Sequence, residues 1–314
     1  MKLCHSAVCT VARHIFLLVL VSANPSQPIT DEAQGEVFLQ EYDVAGALAR
    51  QKNSEAAWRY NTNITKETQD LMIEEQLKYS NFVLHWAKNA SQYAWQDFQN
   101  VTTRRQFSKI TNIGTAAMED AEKQQKLQKV IARMKTVYST GSVCLTNSEC
   151  LPLEPDLVRL MATSRDYDEL LKVWRGWRDV SGKLMKDDYA EFVTLSNEAI
   201  NMSGYRDTGE YWKSLYESNS FANDVEQLFL QMEPFYQQLH AYTKSKLKEV
   251  YGADKFPPTG HIPAHILGNM WAQTWSNLQD ILEPFPGKGS MDVTDELVKQ
   301  VTHLDEHVTR YYNL

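Results

Sequence analysis

The stretch from Asp224 to Tyr251 constrains the fold of this chain more than any other. Its apolar residues recur every three or four positions, which is the spacing of one face of an α-helix. We expect this stripe to belong to the core rather than to a cofactor site. Pro234 is expected to kink the helix, and Gly252 to end it. The stripe consists of Val225, Leu228, Phe229, Met232, Phe235, Tyr236, Leu239 and Tyr242.

Helical spacing also covers most of the remaining chain. From about Thr30 to Arg105 the sequence predicts several long helices, and a second helical block runs from about Lys109 to Val137. A further helix is predicted to begin at Asp166, with Glu169 three residues later in the form of a capping box. The sequence has no alternating run long enough for a substantial β-sheet and no repeat of fixed period. The predicted fold class is therefore all-α.

The N-terminus has the form of a secretory signal. Lys2 and Arg13 precede an apolar run at residues 15–21, and small residues follow it. We expect cleavage after Ala23 and a secreted, extracellular product. The apolar run is too short to span a bilayer, and no later run approaches about 20 apolar residues, so no membrane anchor is expected.

The net charge argues against nucleic-acid binding, and the cysteine content indicates an oxidising compartment. The chain has a formal net charge of −8, and loss of residues 1–23 with their two positive charges makes it −10. Such a chain is a poor partner for nucleic acid, which is bound through clustered lysine and arginine. Cys4 and Cys9 leave with the signal. We expect the remaining pair, Cys144 and Cys150, to form a disulfide in an oxidising compartment, with a stabilisation of about 2 kcal/mol.

Four Asn-x-Ser/Thr sequons lie at Asn63, Asn89, Asn100 and Asn201. They fit the secretory route, and we expect them at the surface as glycosylation sites. A single sequon arises easily by chance, whereas four in a chain with a signal together favour glycosylation.

The segment from Pro257 to Trp275 has the most unusual composition in the chain. Its two histidines, His261 and His265, have the spacing of the helical pair in a zinc peptidase. However, Ile262 stands where that motif needs a glutamate, and Pro263 opposes a regular helix through the pair. Structural histidines near a turn are therefore favoured over a metal site.

A second segment, His303-Leu304-Asp305-Glu306-His307, formally matches the inverted zinc motif His-x-x-Glu-His. It lies in a predicted charged amphipathic helix from about Asp292 to Tyr311. A catalytic site would still need a third protein ligand and an open coordination position. We interpret the segment as a solvated helix, and no metal site is predicted in this chain.

Several sequence blocks together resemble the angiotensin-converting enzyme family, the zinc peptidyl dipeptidases that remove dipeptides from peptide C-termini. The resemblance covers about Thr30 to Lys299 and looks most like the secreted single-domain invertebrate members. It implies a helical fold with a deep cleft, in which residues 24–300 form the N-terminal part, with lid helices at about 30–107. The blocks are His261 to Trp275, Val143 to Leu157, Trp174-Arg175-Gly176-Trp177-Arg178-Asp179, and Gly209-Glu210-Tyr211-Trp212 with Leu215-Tyr216-Glu217.

The resemblance also implies roles for individual residues. Gln273 matches the glutamine that donates a hydrogen bond to the terminal carboxylate of the substrate, and Thr274 would border the pocket for the last side chain. Glu154 matches an acidic residue near the penultimate side chain. Trp174 and Arg178 match positions at a chloride site, although their spacing alone indicates aromatic core packing with an arginine at its edge. The implied partners are oligopeptides with a free C-terminus.

The zinc chemistry of the family has no counterpart in this sequence. Members carry His-Glu-x-x-His with a downstream glutamate, a His-Ala segment, and a lysine and a tyrosine that complete carboxylate capture. In the family all of these follow the part that this chain matches. After Gln300 the pattern is lost, and residues 301–314 are interpreted as a divergent ending. Three hypotheses follow: a family member that is inactive alone because it lacks zinc and the catalytic residues, a non-catalytic secreted peptide-binding or interaction protein, or an unstable truncated isoform.

Overall fold

The computed structural model describes residues 27–146, 149–285, 287–288, 293–294 and 296–300. The predicted signal, the ending 301–314 and most of the helix predicted from Asp292 to Tyr311 lie outside the described residues. Within the described residues the fold is helical, with two strands of three residues each. The all-α prediction is therefore confirmed. No helix in this part of the chain has an apolar stretch long enough to cross a bilayer.

Most of the elements are joined by short connections, whereas the connection from α9 to α10 comprises residues 252–278. The strands are antiparallel, with Val143 opposite Leu151 and Cys144 opposite Cys150. The elements are α1 Glu32–Thr62, α2 Lys66–Ala90, α3 Val101–Thr111, α4 Ala121–Thr140, β1 Ser142–Cys144, β2 Cys150–Pro152, α5 Val158–Thr163, α6 Tyr167–Val180, α7 Lys186–Met202, α8 Thr208–Ser214, α9 Phe221–Tyr251 and α10 Gln279–Leu282.

The block predicted from Lys109 to Val137 is not one helix. Its first residues end α3, and α4 begins only at Ala121. Gly114, in the turn between them, has a φ of 58°, in the left-handed region that ends helical geometry and that glycine adopts without strain. Residues 110–118, which include this turn, carry no charged side chain, in contrast to the charged sequence of α4.

The chain divides into two compact units, of which the first contains described residues 27–125 and 199–204. Its core is aromatic: the ring of Phe107 stacks on Phe38 at 5.5 Å and meets Phe98 edge-on at 5.5 Å. The carboxylate of Glu32, in the first turn of α1, accepts a hydrogen bond of 2.7 Å from the backbone N–H of Asn100, the N-cap of α3. The predicted lid helices α1, α2 and α3 are thus packed together within this unit.

The second unit contains described residues 126–198 and 205–300 and is built around one buried cluster. The disulfide between Cys144 and Cys150 closes the turn between β1 and β2, as predicted. The cluster draws one apolar side chain or more from β1, from the segment after β2, from α6, from α9 and from the segment before α10. These include Val143, Leu157, Trp177, Leu247 and Met270.

The start of α6 is capped at the predicted residue, but not by a complete capping box. The carboxylate of Asp166 accepts hydrogen bonds from the backbone N–H groups of Asp168 and Glu169, both at 2.9 Å. In a capping box the Glu169 carboxylate would reach back to the N–H of Asp166. Here Ser164 relays that bond: its hydroxyl donates to Glu169 at 2.6 Å and accepts from the Asp166 N–H at 3.2 Å.

The apolar stripe of α9 is largely exposed, which contradicts the expectation that it belongs to the core. The helix extends through Pro234 and ends before Gly252, whose φ is 90°. Its C-terminal part is packed, since Leu247 is buried and the hydroxyl of Tyr242 donates to the carbonyl of Leu282 at 3.0 Å. Periodicity identifies an apolar face but not the residues that cover it, and the described residues leave the first two thirds of this face open.

Gly176 allows α6 to approach β1 closely. A Cβ atom at this position would lie 2.5 Å from Cγ1 of Val143, a branched side chain with little freedom to turn away. Replacement Gly176→Ala is expected to lower the free energy of unfolding by about 1–3 kcal/mol through overpacking, despite the better helix propensity of alanine. Gly182→Ala is the control, because a Cβ there meets no described atom within 4 Å. Urea denaturation checks this, and equal stability of Gly176→Ala and wild type would contradict it.

Candidate functional site

The glutamine matched to carboxylate binding lies in the irregular segment between α9 and α10. Two side chains hold this segment through its backbone carbonyls. The amide of Asn277 donates to the carbonyl of Gly268 at 2.8 Å, and the indole N–H of Trp275 donates to the carbonyl of Ala272 at 3.2 Å. Ala272 itself has a φ of 57°, a left-handed conformation that a residue with a Cβ rarely adopts. These hydrogen bonds stabilise the observed conformation of the loop.

Gln273 is exposed on this loop, and its amide makes no hydrogen bond to a described residue. Thr274 is also exposed, and its hydroxyl oxygen accepts a long hydrogen bond of 3.4 Å from Asn269. Asn269 in turn accepts from the backbone N–H of Trp271 at 2.8 Å, which stabilises the turn before Gln273. A neutral amide in this position keeps both of its N–H donors for a ligand.

Arg178 joins α6 to the same loop. One guanidinium nitrogen donates to the carbonyl of Met270 at 3.0 Å, and another donates to the carbonyl of Trp174 at 3.0 Å. The guanidinium carbon lies 3.5 Å from the centroid of the Trp174 ring, so the two side chains share a face of α6, as their spacing indicates. Burial lowers the pKa of Arg178 from its ordinary value, yet a guanidinium stays charged at neutral pH.

The indole N–H of Trp174 is buried and has no hydrogen-bond partner among the described residues. A buried donor without an acceptor costs about 1–3 kcal/mol, so an acceptor bound there would be stabilising. The positive guanidinium of Arg178 lies over the face of the same ring. A buried hydrogen-bond donor beside a positive charge suits an anion rather than a cation.

Glu154 is exposed in the segment that follows β2. Burial raises the pKa of Tyr138, and the nearby charge of Glu154 raises it further, which places the carboxylate close to that phenol. Leu157, three residues later, belongs to the same buried cluster as Met270. Glu154 is thus anchored to the core that supports the loop, but within the described part of the chain it makes no direct contact with Gln273.

The two histidines of this segment differ in their surroundings. His265 is buried, and its ring meets Tyr167 edge-on at 4.4 Å, whereas His261 is exposed. Burial, followed by the positive charge of Arg175, lowers the pKa of His265 to about 4, and the opposing charge of Asp168 is the weaker effect. His265 is therefore a neutral packing residue near pH 7.

The described residues do not fit a zinc centre. They contain no group of three or more histidine, cysteine, aspartate or glutamate side chains that could hold a metal ion. His261 and His265 are unlike in burial, and they lie on either side of Pro263 rather than on one helix face. The inverted motif from His303 to His307 lies outside the described residues.

Three of the four sequons are exposed. Asn63 caps the C-terminus of α1, Asn100 caps the N-terminus of α3 through its carbonyl oxygen, and Asn201 lies near the end of α7. Asn89 is half-buried within α2, and its amide nitrogen lies 3.1 Å from Nε2 of His85. The first three are therefore more open to a glycan than the fourth.

Sequence reasoning missed the residues that hold the loop. Asn277, Asn269 and Trp275 act through hydrogen bonds to or within the backbone of the loop. The bond from Arg178 to Met270 spans 92 positions in the sequence. In the sequence, the glycine at position 268 was the one indication of a tight turn, and its φ of 71° agrees with that role. A glycine does not identify the side chains that bind the loop.

Comparison with known proteins supplies the family. The family model described as angiotensin-converting enzyme, of peptidase family M2, matches residues 29–312. This chain belongs to the angiotensin-converting enzyme family. The match continues past Gln300, so it includes most of the segment that the sequence analysis interprets as a divergent ending.

Individual members of the angiotensin-converting enzyme family match the same part of the chain. The angiotensin-converting enzyme of Theromyzon tessulatum is 43% identical over 277 residues, which cover 87% of this chain and 45% of that protein. The angiotensin-converting enzyme of Mus musculus is 40% identical over 271 residues, or 86% of this chain and 21% of that protein. The angiotensin-converting enzyme-like protein Ace3 of Mus musculus is 40% identical over 263 residues, or 84% and 36%. The chain thus spans less than half the length of these relatives.

The neutral state of His265 makes stability depend on pH. The unfolded state binds a proton near pH 6.5 and the folded state only near the lowered pKa of about 4. The contribution of His265 is therefore complete above about pH 6.5 and is lost as the pH falls; near pH 5 the loss is about 2 kcal/mol.

This pH dependence is measurable by urea denaturation at about pH 8 and about pH 5. In His265→Gln the decrease in unfolding free energy between the two pH values should be smaller than in wild type by about 2 kcal/mol. His261→Gln, at the exposed histidine, should retain the full decrease. An unchanged decrease in His265→Gln would contradict the assignment.

Proposed function

We propose that this chain binds the C-terminal end of oligopeptides, as one wall of the substrate cleft of a peptidyl dipeptidase. The observation that carries the proposal is the exposed amide of Gln273, which has no partner within the described residues and lies on a loop held by Asn277, Trp275 and Arg178. A peptide carboxylate accepts hydrogen bonds from such an amide, and a fixed donor loses little freedom on binding. Membership of the angiotensin-converting enzyme family supports the same role.

The other site residues have supporting roles in this proposal. Trp174 and Arg178 hold a chloride ion, which would satisfy the buried indole N–H and face the guanidinium. Because Arg178 also donates to Met270, an anion there would stiffen the loop that carries Gln273. Thr274 borders the pocket for the last side chain of the peptide. Glu154 favours a basic group at the penultimate position through its charge.

Residues 1–314 alone are proposed to bind peptides without hydrolysing them. The sequence contains no His-Glu-x-x-His segment, and the described residues do not fit zinc. In a zinc peptidase the metal supplies an activated water and polarises the carbonyl of the scissile bond. This chain's own proposed part is to bind and orient the peptide end, in a secreted product with glycans at its exposed sequons.

A second candidate is a non-catalytic secreted interaction protein, and the open apolar face of α9 favours it. A third is an isoform that does not fold stably alone, since monomers rarely expose such a face. A cooperative thermal transition followed by circular dichroism would exclude the third candidate.

Carboxylate binding is tested by calorimetric titration with an N-terminally blocked tripeptide that has a free C-terminus. A hydrogen bond to a charged group contributes about 1.5–3 kcal/mol, so Gln273→Ala should weaken binding by about tenfold or more. The C-terminally amidated peptide should bind wild type as weakly as the free acid binds the variant. Gln279→Ala, at an exposed glutamine in α10, is the matched control and should bind normally. Equal binding of the acid and the amide would contradict the role of Gln273.

The absence of hydrolysis is tested with the same blocked tripeptide. The purified chain, supplied with zinc and chloride, should contain no stoichiometric zinc and should leave the peptide uncut, because the sequence has no His-Glu-x-x-His segment. Metal analysis and chromatography of the products check both expectations. Chelator-sensitive cleavage by the purified chain would overturn this part of the proposal while leaving the binding role of Gln273 intact.

A further inference from the structure

A groove lies between α1 and α3 in the first unit, and none of the described residues of the candidate site lines it. Its volume is about 850 Å³, which is within the range of about 300–1,000 Å³ of ligand sites in proteins. The two helices contact each other through the stacked rings of Phe38 and Phe107, and the groove lies between other faces of the same helices. The first unit therefore has a concave surface to which the proposed function assigns no ligand.

Each helix contributes one face to the groove. The lining residues of both helices include a set separated by three, one and three positions, which is the spacing of one helical face. Gln40 and Gln106 have the same place in the two sets. The walls of the groove therefore follow from regular helix geometry rather than from a loop. In α1 the set is Glu36, Leu39, Gln40 and Asp43, and in α3 it runs from Thr102 to Lys109.

The charges along the groove balance one another. The lining contains two acidic side chains, Glu36 and Asp43 of α1, and two basic side chains, Arg105 and Lys109 of α3. A groove without an excess of either charge favours neither an anion nor a cation. A neutral ligand is therefore the expected class.

The other lining groups are those that a carbohydrate binds. Gln40 and Gln106 are exposed, and their side-chain amides make no hydrogen bond to a described residue. An amide both donates and accepts hydrogen bonds, as a sugar hydroxyl does. Val101, which also lines the groove, is exposed by 66% and offers an apolar surface to the C–H face of a sugar ring. The groove therefore suits a neutral ligand with many hydroxyl groups.

The sequon residue Asn100 lines the groove at the N-terminus of α3. Its Oδ1 accepts hydrogen bonds from the backbone N–H groups of Thr102 at 2.9 Å and Thr103 at 3.4 Å. Its Nδ2, the atom to which an N-linked glycan is attached, makes no hydrogen bond to a described residue. The helix cap and a glycan can therefore coexist on this side chain.

We propose that the N-glycan of Asn100 docks in this groove, where its first N-acetylglucosamine residues bridge α3 and α1. The inference rests on the proposed secreted, glycosylated product and goes beyond it, because it assigns the glycan a binding site on the protein. In the attachment step Nδ2 loses one proton and bonds to C1 of the first sugar. The bond from C1 to the diphosphate of a lipid-linked oligosaccharide donor breaks, and the diphosphate leaves with the bonding electrons.

Covalent attachment favours this glycan over a free ligand. A tethered group acts at an effective concentration of about 1 mM, so weak contacts are sufficient to hold it. A free oligosaccharide or peptide binds from dilute solution and loses its translational freedom in doing so. Of the four sequon asparagines, all of which are described, Asn100 alone lines the groove. Its glycan is therefore the occupant that the geometry favours.

Hydrogen exchange in the full, secreted chain tests the docking. Thr102→Ala removes the sequon but keeps the capping side chain of Asn100, and it should make the backbone amides of residues 36–43 exchange about threefold faster or more, because α1 loses its cover. Alanine has the higher helix propensity, so without a glycan the same change would not speed exchange. Thr102→Ser retains the sequon and should exchange like wild type. Ser203→Ala removes the sequon of Asn201, which does not line the groove, and should also leave residues 36–43 unchanged.

Cleavage by an endoglycosidase supplies a second test that leaves every sequon in place. The enzyme cuts between the first two sugar residues, and mass spectrometry of the peptides follows each site on a native chain that carries oligomannose glycans. Cleavage at Asn100 should be at least about tenfold slower than at Asn201, because the glycan must leave the groove before it is cut. Gln40→Trp fills the groove and should remove most of this difference. Gln51→Trp, at an exposed glutamine of α1 outside the groove, is the matched control and should preserve it.

The outcomes separate this inference from the proposed function. Slow cleavage at Asn100 together with faster exchange in Thr102→Ala supports the docking. A secreted chain without a glycan at Asn100 would overturn the inference and the glycosylated state of the proposed product, whereas the peptide titration with Gln273→Ala tests peptide binding independently. Unchanged exchange in Thr102→Ala, or cleavage at Asn100 as fast as at Asn201, would show that this glycan does not occupy the groove and would overturn the docking alone.

Discussion

The hydrogen bond from Arg178 to the carbonyl of Met270 is the interaction on which the candidate site most depends. It connects α6, a regular helix with a defined N-cap, to a loop that has no repeating hydrogen bonds of its own. The same guanidinium stacks on Trp174, whose buried indole N–H has no hydrogen-bond partner within the described residues. One side chain thus links the candidate anion site to the loop that presents Gln273. We therefore expect a substitution at Trp174 or Arg178 to alter the conformation of the loop, and a substitution in the loop to alter the position of Arg178.

This linkage depends on close packing beneath the loop. The buried cluster of the second unit takes side chains from β1, α6, α9 and the loop itself, and Gly176 lets α6 approach β1 closely. His265 lies in the segment before α10, and its buried, neutral ring packs against Tyr167. The unusual composition of the segment from Pro257 to Trp275 therefore reflects packing and turn formation.

The residues of the second unit pack against only part of the apolar face of α9. In the C-terminal part of the helix Leu247 is buried, whereas the residues from Val225 to Leu239 meet no covering element in the described chain. The chain also spans less than half the length of the relatives reported above. An apolar face that has the spacing of a core face in the sequence can therefore remain exposed within the described residues.

The sequence by itself determined the helical class, the end of α9 at Gly252, the N-cap at Asp166, the Cys144–Cys150 disulfide and the family, because these follow from local spacing and from residue identity. It also singled out Gln273, Trp174 and Arg178 by resemblance. Only the tertiary structure decided that the stripe of α9 is open, that His265 is buried, and that Arg178 holds the loop of Gln273. Burial and long-range hydrogen bonds depend on which distant residues meet, and no local pattern records those partners.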